Sequence, residues 1–456
     1  MLLKFVDRQK ELRLLNEKYQ SPHPEFIIIY GRRRIGKTEL IKQFSTNKKH
    51  FYFLARKEPI QLEIDRFRKK ISEKFNIYLQ ETTDFEILFK EIMEKTSKKQ
   101  KLIIIIDEFP YLIDSYKPIP SIFQGIWDEH LQHEPVMLIL TGSSVSMMET
   151  EILGYHSPLY GRRTAQFKIE EIKIKHISSF LPKYNQENLF KTYGATGGIP
   201  YYLKEFNDNN TFLENIQNTF LNTSNILYQE AEILLKEELR EPNTYFNILK
   251  AMIDGATKLS EISTKSHVDI TNINKYISVL ETLKLVRKEY PITEPMKQRN
   301  FLYIVNDHYF RFWLSYVYPY KEEIEEQPDR VLQLIQQDNP RYMGPIFEEI
   351  VKQFVRQHSF IDFNKSGRWW HKTEEIDLIC LHQQKKEISF FENKWKNLSY
   401  TQATKILNDL KEKSTLVNWQ RKNRKENFGL FAKNISQKQK LRDQGFLIFD
   451  INDMKH

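Results

Sequence analysis

Cysteine is all but missing: Cys380 is the single one in 456 residues. That excludes a disulfide framework and any metal centre built only from thiolates of one chain. Long apolar runs are missing as well. No stretch reaches the ~18 residues that a membrane-crossing helix requires. The N-terminus is charged from Lys4 onward and has no small-residue cleavage site, so it does not read as a secretory leader. Net charge is scarce over most of the length. Of the formal +9, residues 341–456 supply nearly everything, with 22 basic against 14 acidic side chains. No internal repeat is visible. What is present is 40% hydrophobic and 28% charged residues, which excludes a disordered chain. The length allows two to four domains. These absences lead us to expect a soluble, cytoplasmic protein with a basic C-terminal quarter set apart from the rest. Such an excess suits a polyphosphate partner and equally suits a solvated lysine-rich surface.

Over the first ~170 residues, short apolar runs alternate with amphipathic ones. Phe26–Tyr30, His50–Leu54, Leu102–Ile106, Val136–Leu140 and Ala165–Ile169 read as strands, and Ile60–Phe75 reads as a helix. Unbroken apolar runs of this length suit parallel strands covered on both faces, which predicts an α/β fold with a parallel sheet. Residues ~170–240 read as helical. Residues 243–317 read as three helices and short strands, with Ile273, Ile277 and Leu280 forming the apolar stripe of the third helix. An acidic run, Lys321–Asp329, carries Pro328 and reads as a linker. The remainder opens with a helix, Ile346–Gln357, followed by strand-like runs.

Gly31-Arg32-Arg33-Arg34-Ile35-Gly36-Lys37-Thr38 fits G-x-x-x-x-G-K-[ST], after a strand and before a helical stretch. The glycines let several backbone N–H groups converge on one phosphate, and the helix N-terminus favours the anion. Lys37 is expected at the β- and γ-phosphates, Thr38 on Mg²⁺, and Glu39 in the first helical turn beside them. Asp107-Glu108 ends a buried strand. There Asp107 can hold the hydration shell of the metal and Glu108 can polarise an attacking water. Thr141-Gly142-Ser143-Ser144 ends the next strand, where its polar side chains can contact the γ-phosphate or the water, and it is also ordinary turn chemistry.

These residues, over the first ~320 positions, resemble an AAA+-related P-loop ATPase of the STAND or archaeal-ATPase type. Phe5-Val6-Asp7-Arg8-Gln9-Lys10-Glu11 is similar to the family's hydrophobic-G-R-E-x-E element, with Asp7 in place of glycine. Tyr160-Gly161-Arg162 resembles its "LYGR" arginine, and Gly198-Ile199-Pro200 resembles the G-x-P turn of its helical lid. The resemblance implies ATP and Mg²⁺ as cofactors and places Arg8 and Pro200 near the nucleotide base. It makes Arg162 a phosphate sensor or a finger acting on a neighbouring subunit. Arg32, Arg33, Arg34 and Ile35 fall inside the phosphate loop itself.

The segment 243–317 has the rhythm of a winged helix-turn-helix. Its third helix offers Asn272, Asn274 and Lys275 but also Asp269 and Glu281, which favours a structural or protein-contact role over base reading. Further on, Glu348 lies in the opening helix of the last part, Asp377 begins a strand, and Glu392 and Lys394 share one face of the next. Two carboxylates and a lysine on one point can bind Mg²⁺ and orient a water for phosphodiester attack. The pattern resembles the PD-(D/E)xK nuclease superfamily, with Ile376 at the position of the name-giving proline. That resemblance implies Glu348 as the helix acid, Asp377 and Glu392 as metal ligands, and Lys394 as base or charge stabiliser.

The expected organisation is therefore a P-loop ATPase domain (1–170), a helical lid (171–240) and a winged helix (241–320). A linker (321–340) and an α/β restriction-endonuclease-like domain (341–456) follow. The leading expectation is an ATP-driven enzyme controlling a Mg²⁺-dependent site that acts on DNA, with homo-oligomers as an option and no membrane partner. The alternative is a signalling or scaffold switch whose C-terminal domain only recognises a partner.

Overall fold

The computed structural model describes residues 5–455 apart from 97, 240, 295–299 and 359. The chain divides after Glu171 into two compact units. In the first, five strands form one fully parallel sheet: β1 (Glu25–Tyr30), β2 (His50–Leu54), β3 (Leu102–Asp107), β4 (Val136–Gly142) and β5 (Ala165–Lys168). Their spatial order is β2-β3-β4-β1-β5. Helices cover both faces, so alternate residues of one strand feed two different cores. Phe26, Ile28 and Tyr30 enter one, and Ile27 and Ile29 enter the other; Ile104 and Ile106 oppose Ile103 and Ile105 in the same way. This is why these strands read as unbroken apolar runs. The helix Ile60–Phe75 buries Ile60, Ile64, Phe67 and Ile71 at helical spacing, and Phe67 packs edge-on against Phe51, Phe53 and Phe85. Because β3, β4 and β1 are neighbours running the same way, their carboxyl ends open side by side on one edge, where α/β sheets bind ligands.

The second unit begins with short helices, among them Gln186–Thr196, Phe212–Thr219 and Ile226–Glu238. Three more follow, Pro242–Ile253, Leu259–Ser266 and Ile270–Thr282, and then an antiparallel ribbon of β6 (Val286–Glu289) and β7 (Leu302–Val305). Ile273, Ile277 and Leu280 are the buried stripe of the third helix. The chain just after β6 is anchored at one residue. Ile292 donates its N–H to Arg368 O at 2.9 Å, accepts from Lys365 at 2.6 Å, and is buried with Trp369 and Ile376.

Residues 321–340, expected to be a linker, are helical apart from Gln327. Lys321–Glu326 is one helix, and a 30-residue helix runs from Pro328 to Gln357. Pro328 stands at the first helical position, where its missing N–H costs nothing, and Val331 and Ile335 bury one turn apart. The helix expected to open at Ile346 thus starts eighteen residues earlier and passes through Pro340 and Pro345.

The last part is a mixed sheet of β8 (Lys365–His371), β9 (Glu374–His382), β10 (Glu387–Leu398), β11 (Lys425–Ile435) and β12 (Leu447–Asp450), paired in that order. β8-β9-β10 are antiparallel, whereas β10-β11-β12 are parallel. The helix Tyr400–Ser414 makes the crossover between β10 and β11. One apolar core runs unbroken from Phe190 and Tyr193 through Trp313 and Phe347 to Trp395 and Phe431. Among the described residues no helix is long and apolar enough to cross a membrane.

Candidate functional site

The turn after β1 is tight at both glycines. A Cβ built on Gly31 would overlap the carbonyl oxygen of Ile169. Gly36, with φ of 93°, is the residue from which the helix Lys37–Ser45 starts. Arg34 is also left-handed, at φ 65°. The chain therefore curls immediately before a helix N-terminus, an arrangement that attracts a phosphate. Lys37 is folded into this curl and is only 6% exposed. Its Nζ donates to the carbonyls of Gly31 at 2.8 Å and Arg32 at 3.0 Å.

Asp107, buried at the end of β3, accepts four hydrogen bonds. Oδ2 takes those of Thr38 Oγ1 at 3.1 Å and Tyr52 OH at 2.5 Å, and Oδ1 those of Thr141 Oγ1 at 2.9 Å and Glu108 N at 3.1 Å. Burial and the neighbouring Asp107 charge push the Tyr52 phenol far above its ordinary range, so it is a permanent donor. Glu108 sits in the left-handed region at φ 54°. Its Oε2 accepts from both the N–H and the hydroxyl of Ser143, at 3.1 and 2.8 Å. The Thr-Gly-Ser-Ser segment is thus more than a turn, because Thr141 and Ser143 hold the two acids.

Arg8 is buried against the same loop, donating to Glu170 O at 2.5 Å and Ile35 O at 3.4 Å. Arg32 pairs with Glu171 at 3.3 Å, and Arg33 donates to Tyr111 OH at 3.1 Å. Glu39 is exposed in the first turn of the helix. Arg162 is clasped by Asp128, with contacts of 2.9, 2.9 and 2.7 Å, and also donates to Pro158 O. Pro200 opens the short helix Pro200–Leu203 of the second unit.

In the second unit, Phe391 is paired with Leu378 at the end of the β9–β10 ladder, so Glu392 follows opposite Asp377. The Nζ of Lys394 bridges the two acids, 3.1 Å from Asp377 Oδ2 and 2.5 Å from Glu392 Oε2. Asp377 Oδ2 also accepts from Asn393 N at 2.8 Å. Glu392 is raised above its ordinary value by burial and by Asp377. Lys394 is raised as well, because the attraction of Asp377 and Glu392 outweighs its burial. Glu348, on the long helix, is pushed up to about 8 by burial and by the charge of Asp377. The four residues singled out from the sequence thus face one region. Among the described residues, however, Glu348, Asp377 and Glu392 do not gather within 4.8 Å of one another; Glu86, Glu129 and His130 do.

A profile of ATPase domains found predominantly in Archaea matches residues 5–206. Another, of archaeal and bacterial proteins of unknown function, matches residues 313–406. An uncharacterized protein of Methanocaldococcus jannaschii is 37% identical over 454 residues, covering 98% of this chain and 99% of that protein. The chain belongs to this ATPase family. An uncharacterized ATP-binding protein of the same organism is 50% identical over 48 residues, 10% of this ATPase and 81% of that protein. Among solved structures, a Walker-type ATPase of Pyrococcus abyssi aligns with a TM-score of 0.53 at 19% identity. It covers 68% of this chain and 96% of that one, a likeness of fold.

Several residues of these two side-chain clusters carry no motif. Tyr52 lies in a run that reads only as strand, and its role follows from β2 pairing with β3. Lys413 comes 21 residues after Glu392, on the crossover helix, and reaches that carboxylate at 3.2 Å. Arg368 on β8 pairs with Glu375 at 2.6 Å beside the same site. Each depends on strand order, which local patterns do not encode.

Proposed function

We propose that this ATPase binds ATP in the curl of residues 31–38 and hydrolyses it. We further propose that the cycle governs a Mg²⁺-dependent, nuclease-like site in the C-terminal part that acts on DNA. The first half rests on one observation: Asp107 and Glu108 stand side by side at the end of β3, each fixed by its own donors, with Thr38 on Asp107. The loop amides and helix N-terminus hold the phosphates, and Lys37 exchanges the carbonyls of Gly31 and Arg32 for phosphate oxygens. The hydroxyl of Thr38 and the carboxylate of Asp107 form a hard-oxygen pair that suits Mg²⁺, which supplies charge neutralisation at the β- and γ-phosphates. Glu108 takes a proton from the attacking water as its oxygen bonds to the γ-phosphorus. The bond to the bridging oxygen then breaks, leaving ADP and phosphate. Arg8 and Glu39 complete the nucleotide surroundings in this reading, and Arg162 acts as sensor or finger once released from Asp128. Lys37→Ala is expected to abolish ATP binding in calorimetry. Glu108→Gln is expected to bind ATP and lose turnover by about 10²-fold or more. Wild-type turnover by Glu108→Gln would remove that residue from the water-activating role.

The C-terminal half of the reading is supported by the gap between Asp377 and Glu392. The Lys394 ammonium lies in this gap, and the carboxylate oxygens that hold it suit Mg²⁺, which would supply a Lewis acid for phosphodiester attack. Glu348 adds a third acid and Lys394 the positive charge beside it. In this reading the molecule is an AAA+/STAND-type machine of the cytoplasm, able to form homo-oligomers. DNA is held by the basic C-terminal part, with the winged helix as a structural adaptor. Two observations favour a second reading, a nucleotide-dependent signalling or scaffold switch: Lys394 fills the gap itself, and among the described residues the three acids are not gathered. The two readings separate when wild type and the Glu392→Ala/Lys394→Ala variant meet single-stranded, duplex and branched DNA with ATP and Mg²⁺ or Mn²⁺. Cleavage by wild type alone supports the nuclease. No cleavage by wild type on any substrate supports the switch.

A further inference from the structure

We infer that Lys413 is a positioning residue for the C-terminal carboxylate site, holding one oxygen of Glu392 so that the other faces the gap shared with Asp377. The inference rests on reading that gap as a divalent-cation site, as proposed above. Glu392 is buried, and its two oxygens are held from different directions. Lys394, on its own strand, takes Oε2 at 2.5 Å, and Lys413 takes Oε1 at 3.2 Å. The two lysines are not equivalent. Lys394 stands between Glu392 and Asp377, where a divalent ion would stand, so it must give way to one. Lys413 sits on the far oxygen, outside that gap.

Lys413 is itself fixed. It lies in the last turn of the helix Tyr400–Ser414, which buries Ala403, Leu407, Leu410 and Ser414. Its Nζ also donates to the carbonyl oxygen of Glu375, at the start of β9, at 3.2 Å. One ammonium therefore ties the crossover helix, β9 and the Glu392 carboxylate of β10 together. The terminal torsion of a glutamate is broad and weakly preferred, so a carboxylate held at one oxygen only is free to turn. Fixing Oε1 keeps Oε2 aimed at Asp377 when Lys394 departs. Groups that orient metal ligands in this way typically change metal affinity 10–100-fold when removed.

Charge alone predicts the opposite sign. A lysine beside a divalent cation repels it, so deleting that lysine would tighten binding unless it orients the ligand. The experiment is a calorimetric titration of the nucleotide-free full chain with Mn²⁺. Wild type, Asp377→Ala, Lys413→Ala and Lys413→Arg are compared, each checked by thermal melting. Wild type is expected to show a site that Asp377→Ala removes. Lys413→Ala is expected to weaken that site about tenfold or more, and Lys413→Arg, which keeps the donor, to recover most of it. Binding by Lys413→Ala as tight as wild type or tighter overturns the positioning role, as does Lys413→Arg no better than Lys413→Ala. If wild type shows no Mn²⁺ site that Asp377→Ala removes, the cation reading falls, and the inference with it.

Discussion

Glu348 keeps its proton through the neutral range because burial and Asp377 hold it near 8, against 4.5 for the unperturbed group. Between those values the unfolded chain has already lost the proton that the folded one retains. The unfolding free energy therefore falls as pH rises from about 4.5 to about 8 and levels off beyond. Glu348→Gln mimics the neutral form. In metal-free buffer it is expected to melt with wild type near pH 5 and above it at pH 8.5, by about 2–4 °C for each kcal/mol of relieved strain in a unit of this size. Parallel melting curves for the two proteins across that range would contradict the assignment. At this scale the sequence is most legible where chemistry is local. Lys37, Thr38, Asp107 and Glu108 announce themselves by spacing and by a preceding apolar run. Tyr52 and Lys413 do not, because each reaches its acid from another element.

The phosphate loop and the long helix show two ways in which an element is decided. Gly31 is required by close approach, since any side chain there would overlap Ile169 O. Gly31→Ala is expected to weaken ATP binding at least tenfold, measured by calorimetry with the circular dichroism of the sheet unchanged. Normal affinity would mean that the loop and the end of β5 can part without cost. The central strands β1, β3 and β4 are readable because both faces are covered and their runs are almost wholly apolar. The helix from Pro328 is not, because proline and an acidic run outweigh the sparse stripe of Val331 and Ile335. Proline at a first helical position looks, in sequence, like proline in a break. The β6–β7 ribbon is legible as short strands after the third helix, but its seat on β8 through Ile292 is not, since a single buried isoleucine in a turn leaves no pattern.

At the scale of the whole chain, charge asymmetry suggested an independent C-terminal body. The second unit instead has a shared interior. Trp395 of β10 lies 5.3 Å from Phe347 of the long helix and 6.3 Å from Phe190 of the helix Gln186–Thr196. Lys433 of β11 pairs with Glu187 of that same short helix at 2.7 Å, and Gln353 donates to Tyr193 OH at 2.8 Å. Trp395→Ala is expected to cost about 3–5 kcal/mol. Hydrogen exchange should then show Gln186–Thr196 and β10 losing protection together. Loss confined to β10 would mean that the contacts are incidental. A chain ended at residue 320 is expected to elute as aggregate in size exclusion, because Phe190, Phe312 and Tyr316 lose the helix that covers them.

Such a shared interior bears on inheritance. Recombination that joins foreign tails at the acidic run around residue 325 would cut through packed aromatic rings, and its products would fail before any activity could be selected. A crossover after residue 171 leaves the interior of the second unit whole. Lineages that exchange effectors are therefore expected to carry residues 172–456 as one heritable block.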